Sequence, residues 1–182
     1  YGALGDTYRR NGRWKEAEEA YFTLLDFSQA PVFQVQAAHV HGALADLALR
    51  QGNLIHTENR WRQALSFIED QKNWGRQPLP LKGWVYIRLG ELLYEQNKLQ
   101  EAQDLISRGK EHAELGGDVR SLIAGDINQG RLKLIEGDIP GAKTHLLRAQ
   151  QHLSQAKFPY WNGRFQRLQL EIWLADDQLR TA

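Results

Sequence analysis

Small and bulky apolar residues recur along this chain at helical spacing on either side of short turns. The opening stretch sets the pattern. Leu4, Gly5 and Tyr8 form one helical face, Asn11-Gly12 breaks it, and Ala17, Tyr21 and Leu24 form a second. Such spacing describes two amphipathic helices folded back on one another. The register returns as Leu44, Ala45, Ala48, Gly52, Thr57, Trp61 and Ala64, then as Leu89, Gly90, Leu93, Asn97, Ala102, Ile106 and Gly109. A fourth copy holds Gln129, Gly130, Lys133, Gly137, Ala142, Leu146 and Ala149. The turn positions Gly12, Gly52, Asn97 and Gly137 are 40, 45 and 40 residues apart. A small residue in each helix permits close approach, to about 8 Å between axes, and the bulky residue one turn on fills the groove beside the contact. One such hairpin cannot bury both its faces, so neighbours must stack on it.

The remaining signals place the helices. One runs from near Pro31 to Gln51-Gly52, and its partner carries Ile55, Trp61, Leu65 and Ile68. Gln71 to Pro80, with Gly75, Pro78 and Pro80, reads as a loop and accounts for the longer second interval. Helices are predicted from about Leu81 to Gln96, Lys98 to Glu114, Val119 to Glu136 and Ile139 to Ala156. Leu115-Gly116-Gly117 is a helix stop and Asp118 a cap for the next helix, while Pro140 is tolerated in a first turn. A last helix starts near Pro159 and carries Trp161, Phe165, Leu168, Ile172 and Trp173. No convincing strand alternation occurs. The expected fold is all-α, one domain over 1–182, with hairpins at about 1–29, 31–70, 80–115 and 118–156 and a final helix at 159–176.

Tyr1-x-x-Leu4-Gly5-x-x-Tyr8 with Gly12, Ala17 and Tyr21 resembles a tetratricopeptide repeat, with Tyr1 where Trp is usual. The resemblance covers the whole chain and implies an α-α superhelix. Two departures stand out: the period exceeds the usual 34 residues, and most copies lack the closing proline. Longer copies of this kind, such as Leu44-Ala45-Asp46-Leu47-Ala48-Leu49-Arg50-Gln51-Gly52-Asn53-Leu54 and Gly130-Arg131-Leu132-Lys133-Leu134-Ile135-Glu136-Gly137-Asp138-Ile139, resemble the C-terminal arrays of LuxR/MalT-type ATP-dependent bacterial transcription regulators. That resemblance implies a non-catalytic region that receives a small-molecule effector or a protein or peptide partner. A nucleotide-binding switch and a DNA-binding helix-turn-helix would lie elsewhere in the parent protein. The alternative it leaves open is a general scaffold that grips a peptide or helix.

Composition narrows the field. Of 182 residues, 42% are hydrophobic and 25% charged, a globular balance. The net charge of +1 gives no field for nucleic acid or an anionic membrane, so neither is expected to touch this segment. The absence of cysteine excludes a disulfide framework and thiolate chemistry and fits a reducing, cytoplasmic setting. No apolar run is long enough to span a bilayer. The chain has no methionine, and Tyr1 opens inside the first helix uncapped, so it is expected to be part of a longer protein.

No phosphate loop, dinucleotide fingerprint, H-E-x-x-H or G-x-S-x-G occurs, and no enzyme activity, cofactor or metal is expected. Among six histidines, His145 and His152 are seven apart and can share a helix face; packed or solvated rings are the first reading and a ligand pair the second. His39 and His41, two apart, point to different sides. Glu16, Glu18 and Glu19 read as a wet face near a helix N-terminus, and Asp176-Asp177 as a helix-end surface pair. Trp61, Phe165 and Trp173 read as core; Trp74 either caps the widened repeat or is an exposed contact.

In a tetratricopeptide array the first helix of each hairpin lines the concave side. The candidates there are Asp6, Arg9, His39, Asp46, Arg50, Trp84, Ile87, Glu91, Tyr94, Ile127, Asn128, Arg131, Leu134, Arg164, Arg167 and Glu171. The binding set drawn from them is Trp84, Glu91, Tyr94, Asn128, Arg131, Arg164, Arg167, Asp46 and Arg50. Trp84 and Tyr94 supply flat apolar area, and Arg131 and Arg167 supply forked donors. The competing reading has Trp84 packed between repeats and the charges merely solvating the groove.

Overall fold

The computed structural model describes residues 1–27, 34–69, 80–155 and 158–181. Within them the helices are α1 (Gly2–Arg10), α2 (Trp14–Phe27), α3 (Gln34–Arg50), α4 (Leu54–Glu69), α5 (Pro80–Glu95), α6 (Leu99–Gly116), α7 (Val119–Ile135), α8 (Ile139–Gln155) and α9 (Pro159–Thr181). No strand occurs among the described residues. The start near Pro31 and the loop before Pro80, with Trp74, lie outside them. Pro80 itself opens α5, and α9 runs past 176, so Asp176-Asp177 sits inside a helix rather than at its end. The chain forms two compact units, Tyr1–Gln77 and Pro78–Ala182.

The turns share one construction. Gly12, Gly52, Asn97, Gly117 and Gly137 adopt φ of 73°, 74°, 61°, 64° and 75°. The next residue donates its backbone N–H to a carbonyl five residues back: Arg13 to Tyr8, Asn53 to Ala48, Lys98 to Leu93, Asp118 to Ala113 and Asp138 to Lys133, each at 2.9 Å. This closes orphan carbonyls at the helix end, and the left-handed residue is glycine because it has no Cβ to clash. Asn97 takes the same place because asparagine tolerates that conformation better than most residues. The expected cap forms as well, with Asp118 accepting from the backbone N–H of Arg120 at 3.2 Å and from the Ser121 hydroxyl at 2.5 Å.

In the first unit α1 packs on α2, α2 on α3 and α3 on α4. Ala17, Tyr21, Val40, Leu44 and Leu47 share one buried cluster. A Cβ on Gly5 would meet the Tyr21 ring at 2.5 Å, which is why the small and bulky partners recur together. Trp61 is buried against Gly42. Ile55, read as apolar face, is instead 74% exposed near the start of α4. His39 is exposed and His41 buried, as two-residue spacing on a helix requires. His41 stacks on Phe67 with ring centroids 5.3 Å apart, and burial with the nearby Arg60 cation lowers its pKa to about 4.

In the second unit α5, α7 and α9 form one layer, with α6 and α8 behind them. The closest approach is backbone to backbone. A Cβ on Gly83 would sit 2.8 Å from the Gly109 carbonyl oxygen, and one on Gly109 would sit 2.9 Å from that of Gly83. Ala102, Ile106 and Ala142 are fully buried as expected. In the fourth copy Leu168 of α9, not Leu146, lies against Gly130, at 2.8 Å from where a Cβ would stand. Ile87, Ile123, Ala124, Ile127, Trp161, Leu168 and Ile172 form the core, with Phe165 and Leu146 packed on it. Trp173 breaks the expectation and is 63% exposed. It lies on the α9 face turned away from Leu168 and Ile172, and no described helix covers that face.

Two outcomes follow. Gly137→Ala meets no atom but strains a left-handed backbone, so it should lower stability by about 1–2 kcal/mol in urea unfolding. The depressed pKa of His41 means the unfolded chain binds its proton more readily. Stability should therefore fall as pH drops from about 6.5 towards 4, and His41→Phe should flatten that segment of the pH–stability curve.

Candidate functional site

Trp84, Arg88, Glu91 and Glu95 follow one another at four- and three-residue steps and so form one stripe along α5. Arg120, Asn128 and Arg131 come from α7, and Trp161, Arg164, Arg167 and Glu171 from α9. The three helices lie in one layer, which brings the stripes together.

Charge links them. Glu91, 5% exposed, accepts from Arg88 of its own helix at 2.5 Å and pairs with Arg164 of α9. Arg131 of α7 donates to Glu95 of α5 at 2.9 Å and holds its Nε 3.9 Å from Glu171 of α9. Its guanidinium also lies 4.2 Å from the centre of the Tyr94 ring. Arg167 closes the row by donating to Glu171 at 2.8 Å. Burial raises the Tyr94 phenol pKa, aided by Glu171 and Glu95 and opposed by Arg131. The hydrogen bond to Glu171 raises that of Arg167.

The aromatic end of the row is built around two indoles. Trp84 and Trp161 meet edge to face with centroids 6.2 Å apart, and Tyr160 meets Trp161 the same way at 5.2 Å. Arg120 and Arg88 lie 4.3 and 5.5 Å from the Trp84 ring centre, and Arg164 lies 5.1 Å from that of Trp161.

The expected set therefore divides. Trp84, Glu91 and Arg164 fall in one contact group, and Tyr94, Arg131 and Arg167 in a second. Asn128 is buried on α7, and its Nδ2 has no hydrogen-bond partner. Ile87 and Ile127, expected to line the groove, are core residues instead. Asp46 and Arg50 belong to the first unit. There Asp46 is half-buried and acts with Asp6 and Tyr21 on the Arg9 cation, while exposed Arg50 lies 5.4 Å from the Trp14 ring centre. Tyr21 donates to Asp6 at 2.7 Å, and burial together with that bond pushes its pKa to about 12.

A second polar cluster was not foreseen. Asp126 of α7 is fully buried and accepts from Lys110 of α6 at 2.5 Å. His145 Nδ1 stands 3.1 Å from the same oxygen, and His152 Nε2 stands 3.6 Å from the other. Lys110 also donates to Gln129 at 2.8 Å. His145 and His152 do share a face, but it is turned to a carboxylate beside an ammonium group. Among the described residues no group of three His, Asp or Glu is placed to hold a metal ion. Burial raises the Asp126 pKa; the hydrogen bonds from His145 and Lys110 and the Lys110 charge outweigh it, and the net shift is downward.

Residues 1–182 match the family described as the MalT-like TPR region. The chain belongs to that family. Its all-α, tetratricopeptide-type architecture follows from the hairpins described above. Among solved structures it is similar to the crystal structure of BtubC (BKLC) from P. vanneervenii. The two share 22% identity at a TM-score of 0.69, over 85% of this chain and 62% of that one. At that identity the likeness concerns the fold alone, and this chain spans less than two thirds of the other. No curated protein matches. In this MalT-like TPR region, no helix among the described residues is long and apolar enough to cross a membrane.

Asp126→Asn should cost about 3–5 kcal/mol, because it leaves the Lys110 ammonium buried beside a neutral group. The double variant Asp126→Leu with Lys110→Met should recover most of that loss in denaturant titration. The depressed Asp126 pKa contributes stability that is present above about pH 4 and lost as pH falls through the lower folded-state value.

Proposed function

We propose that this MalT-like TPR region is the non-catalytic sensing part of a cytoplasmic LuxR/MalT-type transcription regulator, and that an effector or partner binds on the α5/α7/α9 face. One observation carries the reading. Arg131 of α7 holds Glu95 of α5 and faces Glu171 of α9, so a single guanidinium ties three helices through charges that an incoming polar group can rearrange. Ion pairs of this kind have discrete arrangements, whereas apolar packing alone does not specify them.

In such a mechanism the ligand would bind one packing of α5, α7 and α9 more tightly than another and so shift their populations. Only that difference in affinity can be transmitted to a switch domain elsewhere in the parent protein. DNA contact would belong to another module of that protein. The row of arginines and carboxylates offers binding groups without a nucleophile or general base set up for turnover, which supports a binding role over an enzymatic one.

Thermal-shift screening of the 182-residue chain against sugars, small metabolites and a peptide pool should find a stabilising ligand. Trp84→Ala and Arg131→Lys should each weaken it by at least about tenfold. Retention of full binding in both variants would remove this face from consideration. A parent sequence without a nucleotide-binding module and a helix-turn-helix would remove the regulator reading and favour a general peptide scaffold.

A further inference from the structure

The aromatic end of the α5/α7/α9 face has a component that folding does not explain. Arg120 sits in the first turn of α7, where the helix dipole disfavours a cation, and that turn holds no acidic residue. It is exposed, and among the described residues no carboxylate pairs with its guanidinium. Its contact is the ring of Trp84, at 4.3 Å. A half-buried indole is thus covered by a side chain held through an exposed cation–π contact, among the weaker contacts in the structure.

Arg88, Arg120 and Arg164 lie against the rings of Trp84 and Trp161, and Glu91 pairs with Arg88 and Arg164. Of these three guanidinium groups, that of Arg120 is the exposed one. A planar ring can replace the Arg120 guanidinium on Trp84, because rings stack there as readily as guanidinium groups do. The displaced guanidinium then supplies forked donors to an acid group on that ring.

We infer that Trp84 and Arg120 form the recognition site for a small, flat organic anion, an aromatic ring bearing a carboxylate or a phosphate. Trp84 provides the stacking surface, Arg120 the cover and the counter-ion, and the Arg88–Glu91–Arg164 group the fixed wall. The inference rests on the reading of this face as the effector face and names the chemistry of the effector.

The test is isothermal titration calorimetry of the whole chain with anthranilate, its neutral analogue anthranilamide, AMP and its neutral analogue adenosine. At least one anion should bind about tenfold more tightly than its neutral partner. A preference for anthranilate or for AMP identifies a carboxylate or a phosphate source. Arg120→Glu, at an exposed position where an acid suits the helix dipole, should bring that ratio to one or below. Trp84→Ala should abolish binding of ring compounds of either charge. Arg148→Glu, an exposed change on α8 away from this face, should leave every value unchanged.

Equal binding of charged and neutral rings, or a ratio unaltered in Arg120→Glu, overturns the inference. So does absence of binding by all four probes at about 5 mM. Failure of the wider reading looks different. A ligand lost on Trp84→Ala but indifferent to charge sinks the anion site and keeps the face. A ligand untouched by Trp84→Ala sinks both.

Discussion

The left-handed turn residue is the constraint on which the rest of this chain depends. Five turns, after α1, α3, α5, α6 and α7, place one residue at positive φ and return the next N–H to the same carbonyl position, so each of these helices ends at a fixed angle and its successor packs back on it. Once that angle is fixed, helix spacing is decided by what stands at the crossing. Gly83 and Gly109 let the α5 and α6 backbones touch, and Gly5 makes room for a whole phenol ring. The pattern of small and large residues is a consequence of the turn, since a differently aimed second helix would bring other positions into contact.

A layer of helices held this way exposes one stripe from each of α5, α7 and α9, and the stripes hold opposite charges. Glu91 shows the energetic tension. It is almost fully buried, where an unpaired carboxylate would cost several kcal/mol. It is tolerable because Arg88 and Arg164 share it, and Arg164 comes from α9. The two helices that flank α7 are thus joined by a pair whose net stabilisation is modest but whose geometry is specific. Arg131 does the same between α7 and both its neighbours. The face thus adds geometrically specific ion pairs to the apolar core that the same three helices share.

The hairpins were legible in the sequence because their signals are local: Asn11-Gly12, Gln51-Gly52, Asn97 and Gly137 mark turns within a few residues. Helical spacing also predicts the faces on which Trp84, Tyr94, Arg131 and Arg164 lie, though not that Trp84 and Arg164 share one contact group and Tyr94 and Arg131 another. Failures occurred where the answer depended on a third element. Trp173 has the spacing of a core residue, yet the covering helix its face requires is not among the described residues. Leu168 displaced Leu146 beside Gly130 because α9 reaches across α7, which repeat alignment does not encode. The Lys110–Asp126–His145 cluster was missed for the same reason, since its members come from three helices. One local signal was available: Asp126 interrupts Ile123-Ala124-Gly125 and Ile127 on an otherwise apolar helix, and a carboxylate there requires a buried partner.

That cluster and the outer row divide the polar work of the second unit. Lys110 and Asp126 meet on the inner side of α7, where removing one partner strands a charge away from water. The Arg120 and Trp84 contact lies on the outer side, where the cation is exposed and separation costs little. The two faces of one helix thus carry ion chemistry of opposite character, one fixing α7 against α6 and α8 and the other leaving its outward surface free to exchange partners.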